Sequence, residues 1–169
     1  GIEFEAKKKI IKHLEARTNV TFIRSNSEVI RKTLSIVDGI KEYIPIDTLN
    51  RPMFGQAPYV INGMLSYTAD SIGLTATISY NVQGPRLVIT GLVPGLPDVY
   101  EMRRHSLDLK VSKTIGKHFS VSLLVRDILN NPVRRTYKLP DDFAEGAWSR
   151  HYDSFRYGTN YLFSVIYKI

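Results

Sequence analysis

The amino-acid sequence predicts an all-β fold, a transmembrane antiparallel β-barrel, and three observations lead to this prediction. Apolar residues recur at every second position in the patterned segments, which is the period of a strand and not of a helix. Short and long connections between these segments alternate strictly. Charged residues within the segments lie on the side opposite the apolar residues, which is typical of a barrel with an apolar exterior and a polar interior.

Seven segments carry the alternation, and several approach the length of about ten residues that a membrane-spanning strand needs. In the clearest one, IGLTATISYNVQ, apolar side chains from Ile72 to Val82 alternate with glycine and uncharged polar residues. The predicted strands lie near residues 2–8, 14–26, 59–68, 72–83, 105–112, 118–129 and 157–169.

The connections follow a second pattern. Short turns join the first strand to the second, the third to the fourth and the fifth to the sixth, whereas residues 27–58, 84–104 and 130–156 form long loops. Strict alternation puts every short turn at one end of the sheet and every long loop at the other. Outer-membrane barrels have short periplasmic turns and long extracellular loops. We therefore expect the three long loops to be extracellular.

Charges within the strands separate a membrane barrel from a soluble one. The polar sides carry charged residues at mid-strand: Glu15, Arg17, Asp108, Lys110 and Arg126. Such charges are costly in a dry core but suit a watery lumen. No pattern remains for a helix or second sheet that would cover the apolar sides. A soluble β-barrel that binds a small apolar ligand is the weaker alternative.

The number of strands predicts that this sequence is part of something larger. A closed, all-antiparallel barrel needs an even number of strands, and an open sheet leaves unpaired edges that aggregate. The sequence begins and ends inside alternating patterns, so we expect further strands from an N-terminal segment or from another chain. Large apolar residues alternate back from the C-terminus: Ile169, Tyr167, Val165, Phe163 and Tyr161. The terminal strand is therefore expected to be ordered and lipid-facing.

Composition excludes several classes of protein. The 169 residues include no cysteine, so disulfides, thiolate metal sites and cysteine nucleophiles are excluded. The formal charge is +7, but basic runs are short, at Lys7–Lys9, Arg103–Arg104 and Arg134–Arg135. We expect these charges to be dispersed and solvated, and no nucleic-acid partner. There is no run of about 18 apolar residues that would form a membrane-spanning helix.

Candidate catalytic and metal-binding residues do not form recognisable motifs. The histidines are scattered: His13, His105, His118 and His151. Their spacing fits no metal site, so surface or turn positions are expected. The acids Asp141, Asp142 and Glu145 do not match a calcium loop. Without a nucleophile elbow or a phosphate-binding glycine loop, we expect no enzymatic activity, no catalytic residues, no metal and no cofactor.

Aromatic residues suggest two structural or ligand-binding roles. The last long loop holds several of them: Tyr137, Phe143, Trp148, Tyr152 and Phe155. They could stack on a sugar or peptide, or pack the loop onto its neighbours, and the ligand-binding residues stay open. Aromatic belts at the two membrane interfaces are predicted from residues at the loop ends and turn ends of the apolar tracks: Tyr59, Tyr80 and Tyr157, then Tyr67, Phe119 and Tyr167.

Three stretches together resemble the C-terminal barrel strands of TonB-dependent outer-membrane receptors of the Bacteroidetes type. They are RPMFGQAPYVINGMLSY (Arg51–Tyr67), ISYNVQGPRL (Ile78–Leu87) and DLKVSKTIGKHFSVSLLVRDILNNP (Asp108–Pro132). In that family an Arg-Pro…Gly-Gln-x-Pro-Tyr segment enters a descending strand. Here that segment comprises Arg51, Pro52, Gly55, Gln56, Pro58 and Tyr59. The resemblance covers nearly the whole chain.

The end of the chain carries the rest of the resemblance. An Asp-x-Leu-Asn segment closes the penultimate strand of the family, and here it comprises Asp127, Ile128, Leu129 and Asn130. In this class the assembly machinery reads alternate outward residues of the last strand, whose final residue is usually aromatic. The final residue here is Ile169, which departs from that pattern.

The resemblance implies a barrel of about 22 strands with a plugged lumen, of which these are the last seven. It implies an integral protein of the bacterial outer membrane that takes up a large or scarce nutrient (glycan, peptide, siderophore or vitamin) with energy from an inner-membrane motor. The implied partners are the remaining barrel strands, a plug, outer-membrane lipid and the motor protein, with a surface lipoprotein as a further candidate. The alternative is a structural or adhesive barrel subunit that anchors other surface proteins and transports nothing.

Overall fold

The computed structural model describes residues 1–91, 96–138 and 150–168, and these form an all-β, antiparallel structure. One short 3-10 turn, Asp70–Ile72, interrupts the strands. The strands of the described residues are β1 (Ile2–Ile11), β2 (Leu14–Phe22), β3 (Ser27–Val37), β4 (Ile40–Arg51), β5 (Tyr59–Ala69), β6 (Leu74–Gln83), β7 (Arg86–Ile89), β8 (Asp98–Glu101), β9 (Arg104–Ile115), β10 (Phe119–Arg126), β11 (Val133–Lys138), β12 (His151–Phe155) and β13 (Asn160–Tyr167).

Seven strands form one large sheet in the order β1-β2-β5-β6-β9-β10-β13, each antiparallel to its neighbours. They overlap the seven predicted segments, although several ends differ. β1 continues to Ile11 through a run of lysines that breaks the alternation, because pairing with β2 holds this segment extended. β2 stops at Phe22, and β13 begins only at Asn160.

The strand register collects the apolar residues on one face of the large sheet. Leu65, for example, pairs with Ala16 on one side and with Ile78 on the other. We call this side the apolar face; its residues include Phe4, Val20, Ile61, Leu65, Ile78, Leu109, Leu123 and Phe163. Because neighbouring residues of a strand point to opposite faces, the other side is the polar face. Its residues include Asn19, Asn62, Ser66, Thr77, Ser79, Asp108, Ser122 and Ser164.

The sequence predicts long loops in these connections. In the structure they contain two smaller sheets. β3 and β4 form a hairpin within residues 27–58, and a four-stranded sheet has the order β12-β11-β8-β7. The hairpin turns at Asp38 and Gly39, which both have positive φ, the conformation that tight hairpin turns require. Pro45 lies at a register shift of the hairpin, where a strand tolerates the loss of an N–H donor.

The buried core lies beside the four-stranded sheet and not beneath the large one. Leu87 and Val99 are 1% and 2% exposed, and Tyr100 and Val133 are also buried. On the apolar face of the large sheet, by contrast, Phe163 is 68% exposed. The large sheet is therefore a single layer over most of its length, and most of its apolar face has no covering element among the described residues. The face is covered at the long-connection end, where Val82 is 6% exposed.

The short turns lie together at one end of the large sheet, which we call the turn end. They connect β1 to β2, β5 to β6, and β9 to β10. Gly73 and Gly116 have positive φ there, which glycine adopts without steric cost. A Cβ atom on Gly73 would also lie 2.8 Å from the Thr114 carbonyl oxygen. The three long connections leave from the opposite end, the long-connection end.

Candidate functional site

The polar face carries hydrogen-bonded side chains across neighbouring strands. Asn81 donates to the Asn62 side chain at 2.6 Å, and the hydroxyls of Ser66 and Thr77 lie 3.1 Å apart. One register row crosses five strands with hydroxyl side chains only: Thr68, Thr75, Ser112, Ser122 and Ser164. A face of this kind is suited to contact with water or with a polar ligand.

The charges predicted for the polar face are spread along it. Arg126 lies at the long-connection end opposite Asn160, and Lys110 lies in mid-strand opposite Thr77. Glu15 accepts a bond from the Arg17 guanidinium at 2.7 Å and forms an ion pair with Lys7 at 3.4 Å. Glu15 and Arg17 border an open pocket of about 470 Å³ at the turn end, which is also lined by Lys12, Ser66 and Asp70. The predicted polar residues therefore form a solvated network here and not a dry core.

At the long-connection end of the polar face, Asp108 and Asp127 connect β9 to the turn that follows β10. The Asp127 backbone N–H donates to the Asp108 carboxylate at 2.9 Å, and the Arg104 guanidinium bonds the Asp127 carboxylate. Asp127 is 7% exposed and has positive φ, as does Asn130. The Asp127 carbonyl accepts the Thr159 hydroxyl at 3.0 Å. The Asp-Ile-Leu-Asn segment thus forms a tight turn that fixes the connection from β10 to β13.

Most of the tyrosines and phenylalanines predicted for aromatic belts lie on the apolar face at the expected ends of the strands, but Tyr157 does not. Tyr67, Phe119 and Tyr167 lie on the apolar face at the turn end, and the rings of Phe119 and Tyr167 are 5.0 Å apart. At the other end, Tyr59 and Tyr80 lie on the same face. Tyr157 was expected to join them but precedes β13. Its ring packs edge-to-face against Phe155 at 5.3 Å, and the Arg104 guanidinium lies over it.

Two histidines in short turns are hydrogen-bonded to the neighbouring hairpin or strand of the large sheet, His13 to β5 and His118 to the residue after β13. The Thr68 backbone N–H donates to the His13 carbonyl at 2.8 Å, and the His13 Nδ1–H donates back to the Thr68 carbonyl at 2.9 Å. His118 makes the same pair of contacts with Lys168, at 2.8 and 3.0 Å. Each histidine ring also packs beside a tyrosine of the apolar face, Tyr67 or Tyr167.

The turn between β5 and β6 has an equivalent lock without histidine. The Thr114 N–H donates to the Gly73 carbonyl at 2.8 Å, and the Lys113 ammonium bonds the Ile72 carbonyl. We call the three arrangements the turn latches. All three short turns are therefore held in fixed positions at one end of the sheet.

The remaining histidines lie apart from these turns. His105 bonds the Tyr80 hydroxyl on the apolar face near the long-connection end, and His151 lies on β12 opposite Thr136. In residues 1–91, 96–138 and 150–168, no group of three histidine or acidic side chains could hold a metal ion.

The turn end gathers lysines that the sequence separates by more than a hundred positions. We call this group the basic rim: Lys7, Lys8, Lys9, Lys12, Lys113, Lys117 and Lys168. The acids described near it are Glu15, which is paired with Arg17 and Lys7, and Asp70. Lys12 and Lys117 are exposed turn residues, as expected of solvated charges, and the strand order places them at the same end of the sheet. Sequence inspection missed the rim because strand pairing, and not chain proximity, brings its members together.

A buried ion pair supports the four-stranded sheet at the long-connection end. Arg51, at the end of β4, donates to the Asp98 carboxylate at 2.8 Å, and its side chain is 8% exposed. Asp98 also accepts the Gly91 N–H at 2.8 Å. Burial and the Asp98 charge raise the pKa of the Tyr100 hydroxyl above its usual 10.0. The first residue of the Arg-Pro…Pro-Tyr segment is thus a structural anchor.

Alternating charges cross the four-stranded sheet in one row. Arg86 pairs with Glu101, Glu101 with Arg135, and Arg135 with Asp153. The Arg86 and Glu101 side chains are bonded at 2.9 Å, and those of Arg135 and Asp153 at 3.1 Å. The Arg135 guanidinium also lies over the Phe155 ring. This row gives the long-connection end a rigid polar surface.

The aromatic residues of the last long connection are described in part. Tyr137 and Tyr152 pack edge-to-face with ring centroids 5.3 Å apart, on β11 and β12. Packing onto neighbouring strands is therefore a role that these two rings and Phe155 have. Several predicted residues lie outside the described ranges: Asp141, Asp142, Phe143, Glu145, Trp148 and Ile169.

No helix in the described part of the chain is long and apolar enough to cross a membrane. In comparisons with known proteins, no family model, no curated protein and no solved structure matches the chain.

Proposed function

We propose that this chain forms part of the barrel of a TonB-dependent outer-membrane receptor that takes up a large or scarce nutrient. The observation that carries the barrel proposal is the register of the large sheet. It combines an exposed apolar face, a hydrogen-bonded polar face and a constant stagger between successive hairpins. In the barrel the apolar face meets lipid and the polar face lines the lumen.

The stagger is measured at the turn end. Leu14, the first residue of β2, pairs with Tyr67, two residues before β5 ends at Ala69. Leu74, the first residue of β6, pairs with Lys113, two residues before β9 ends at Ile115. Each hairpin therefore extends two residues beyond the previous one, or one residue per strand. With about 3.3 Å per residue and about 4.8 Å between strands, the strands tilt by about 35°, at the edge of the range of about 35–45° for barrels.

The exposure of the apolar face favours lipid over water. Its side chains at the β13 edge include Tyr161 and Phe163, which are 73% and 68% exposed. Soluble proteins rarely expose contiguous apolar patches larger than a few hundred Å². A bilayer covers such a face, provided that every backbone group in the sheet is paired. We infer that further strands pair with the outer edges of β1 and β13.

The receptor class rests on the sequence resemblance. Its two segments, Arg51–Tyr59 and Asp127–Asn130, lie at the long-connection end, where they anchor β5 and the link to β13. This end also carries the charged row of the four-stranded sheet, a rigid surface suited to ligand recognition. In a receptor of this kind, these connections face the external medium.

The upstream coding sequence and a binding assay test the receptor proposal together. We expect a plug domain and a short motor-binding segment upstream, and co-purification of the complete protein with the periplasmic domain of the inner-membrane motor. A variant without the upstream segment is the control and should not co-purify. A complete gene with neither element would reject transport. Stable co-purification with other surface proteins would then favour the structural or adhesive subunit.

A further inference from the structure

The basic rim meets the apolar face at the turn end. Lys8 and Lys113 lie on the apolar face itself, paired opposite Ala16 and Leu74. Lys12 and Lys117 lie in the first and third short turns and are exposed. Within the described residues, the side chains of Lys12 and Lys117 form no hydrogen bond and no ion pair. The rim therefore offers free ammonium groups at the border of an apolar surface.

Charge on this border is predominantly positive, and Asp70 in the second short turn is the acid described beside it. The acidic residues of the strands near the turn end, such as Glu15, lie on the polar face and are neutralised by Arg17 and Lys7. Tyrosines accompany the lysines on the apolar side, Tyr67 beside the first turn and Tyr167 beside the third. Tyrosine and lysine together are suited to a membrane interface, where the ring meets the acyl chains and the ammonium meets the headgroups.

The turn latches give this border a fixed geometry. His13 and His118 occupy the same place in two turns, and each follows a lysine directly in the sequence, Lys12 or Lys117. Each holds its turn against the next strand through paired backbone and side-chain bonds. The backbone of Lys12 and Lys117 is therefore fixed by the strand that precedes each lysine and by the hydrogen-bonded histidine that follows it. The histidines act here as positioning residues.

We propose that the basic rim binds the phosphate groups of anionic phospholipids in the leaflet that meets the short turns. This inference rests on the proposed function, because it requires the apolar face to lie in a bilayer. Charge complementarity selects the occupant, since anionic headgroups attract lysines placed within a Debye length of the membrane surface. Lipids with zwitterionic headgroups would occupy the same border more weakly.

Native mass spectrometry of the complete, detergent-purified protein tests this proposal. The protein is incubated with equal amounts of phosphatidylglycerol and phosphatidylcholine, and bound lipids are counted. We expect phosphatidylglycerol to dominate. The double variant K12Q/K117Q should reduce the preference about 25-fold, from about fivefold per lysine near a charged surface. The charge-conserving variant K12R/K117R should retain the preference for phosphatidylglycerol. Its retention would show that substitution at these two positions does not itself disrupt the turns.

A matched control and a competition separate the possible outcomes. K32Q/K41Q removes the same charge from the β3–β4 hairpin, away from the turn end, and should leave the preference unchanged. Equal loss in both double variants would overturn the proposal, as would displacement of bound lipid by inorganic phosphate, which would indicate a free-phosphate site. Equal binding of the two lipids would overturn this inference alone. Failure of the protein to enter phosphatidylcholine bilayers would overturn the proposed function itself.

Discussion

Individual side chains at the two ends of the large sheet have different roles: those at one end are buried and structural, and the lysines at the other are exposed. At the long-connection end, Arg51 and Asp98 are a buried ion pair, and Asp98 also accepts a backbone N–H from Gly91. At the turn end, the lysines are exposed and His13 and His118 hold the turns. The first group fixes a folded structure, whereas the second presents charge to the surroundings.

The buried pair predicts a large loss of stability on truncation. R51A should lower the unfolding free energy by about 3–5 kcal/mol, because it leaves the Asp98 carboxylate buried and unpaired. The matched variant R86A removes an ion pair whose arginine is 35% exposed and should cost about 0–1 kcal/mol. Denaturant unfolding in detergent measures both. Similar losses in the two variants would show that the Arg51 pair is not buried as described.

Among the elements, the β3–β4 hairpin is the most independent. Its register is continuous from Val37 and Ile40 at the tip to Ser27 and Arg51, apart from the shift near Pro45. A two-stranded hairpin alone is marginally stable in water, so its cross-strand pairs matter. Arg31 donates to the Asp47 carboxylate at 2.6 Å and with a second nitrogen.

This pair predicts a pH dependence for the hairpin. The hydrogen bond from Arg31 holds the pKa of Asp47 below its usual 3.8. Asp47 binds its proton more weakly in the folded hairpin, so its stabilisation is present above pH 3.8 and is lost as pH falls through the lower, folded value. NMR titration of labelled aspartate and amide exchange of β3 and β4 measure this.

Two variants check the cause of that dependence. R31Q should return the pKa of Asp47 to its usual value and remove this part of the pH dependence. K32Q removes a neighbouring cation of the same hairpin and should leave the pKa of Asp47 unchanged. An unaltered Asp47 titration in R31Q would contradict the assignment of the shift to Arg31.

The strands of the large sheet were predictable because each repeats a simple signal. Ile72 to Val82 alternates without interruption, and the short turns leave little freedom in strand order. β3 and β4, inside the first long connection, are 11 and 12 residues long, so their length does not explain why they were missed. The strands β7 and β8 were not predictable, because Arg86–Ile89 and Asp98–Glu101 are four residues long. A period of two cannot be established over four residues, and their extended form depends on neighbours distant in sequence.

The candidate sites were less predictable than the strands. The polar charges Glu15 and Arg17 follow from alternation, and they lie together as a solvated pair. The basic rim does not follow, because Lys12 and Lys117 lie at the same end of the sheet only after β2, β5, β6 and β9 have paired in order. Tyr157 was wrongly predicted to lie in the last strand. β10 ends at Arg126 because the chain turns at Asp127, so pairing with β13 begins only at Asn160.

At the scale of the whole molecule, the large sheet is a single layer with two unlike faces and two unlike ends. Its apolar face continues across all seven strands, and its polar face carries the hydrogen-bonded rows. The turn end is basic and held by latches, and the long-connection end carries the folded core. The proposed function, with a bilayer on the apolar side and water on the polar side, would account for all four features together.

Accessibility along β6 tests this central claim most directly. These 169 residues contain no cysteine. A single cysteine is introduced at each position from Leu74 to Gln83 and spin-labelled in the complete protein, in a membrane, with any cysteine elsewhere replaced by serine. Labels on the apolar face, such as Ile78, should collide with lipid-soluble oxygen. Labels on the polar face, such as Thr77, should collide with a water-soluble nickel chelate, so the two profiles alternate with opposite phase. Equal access of the chelate to both faces would contradict the account.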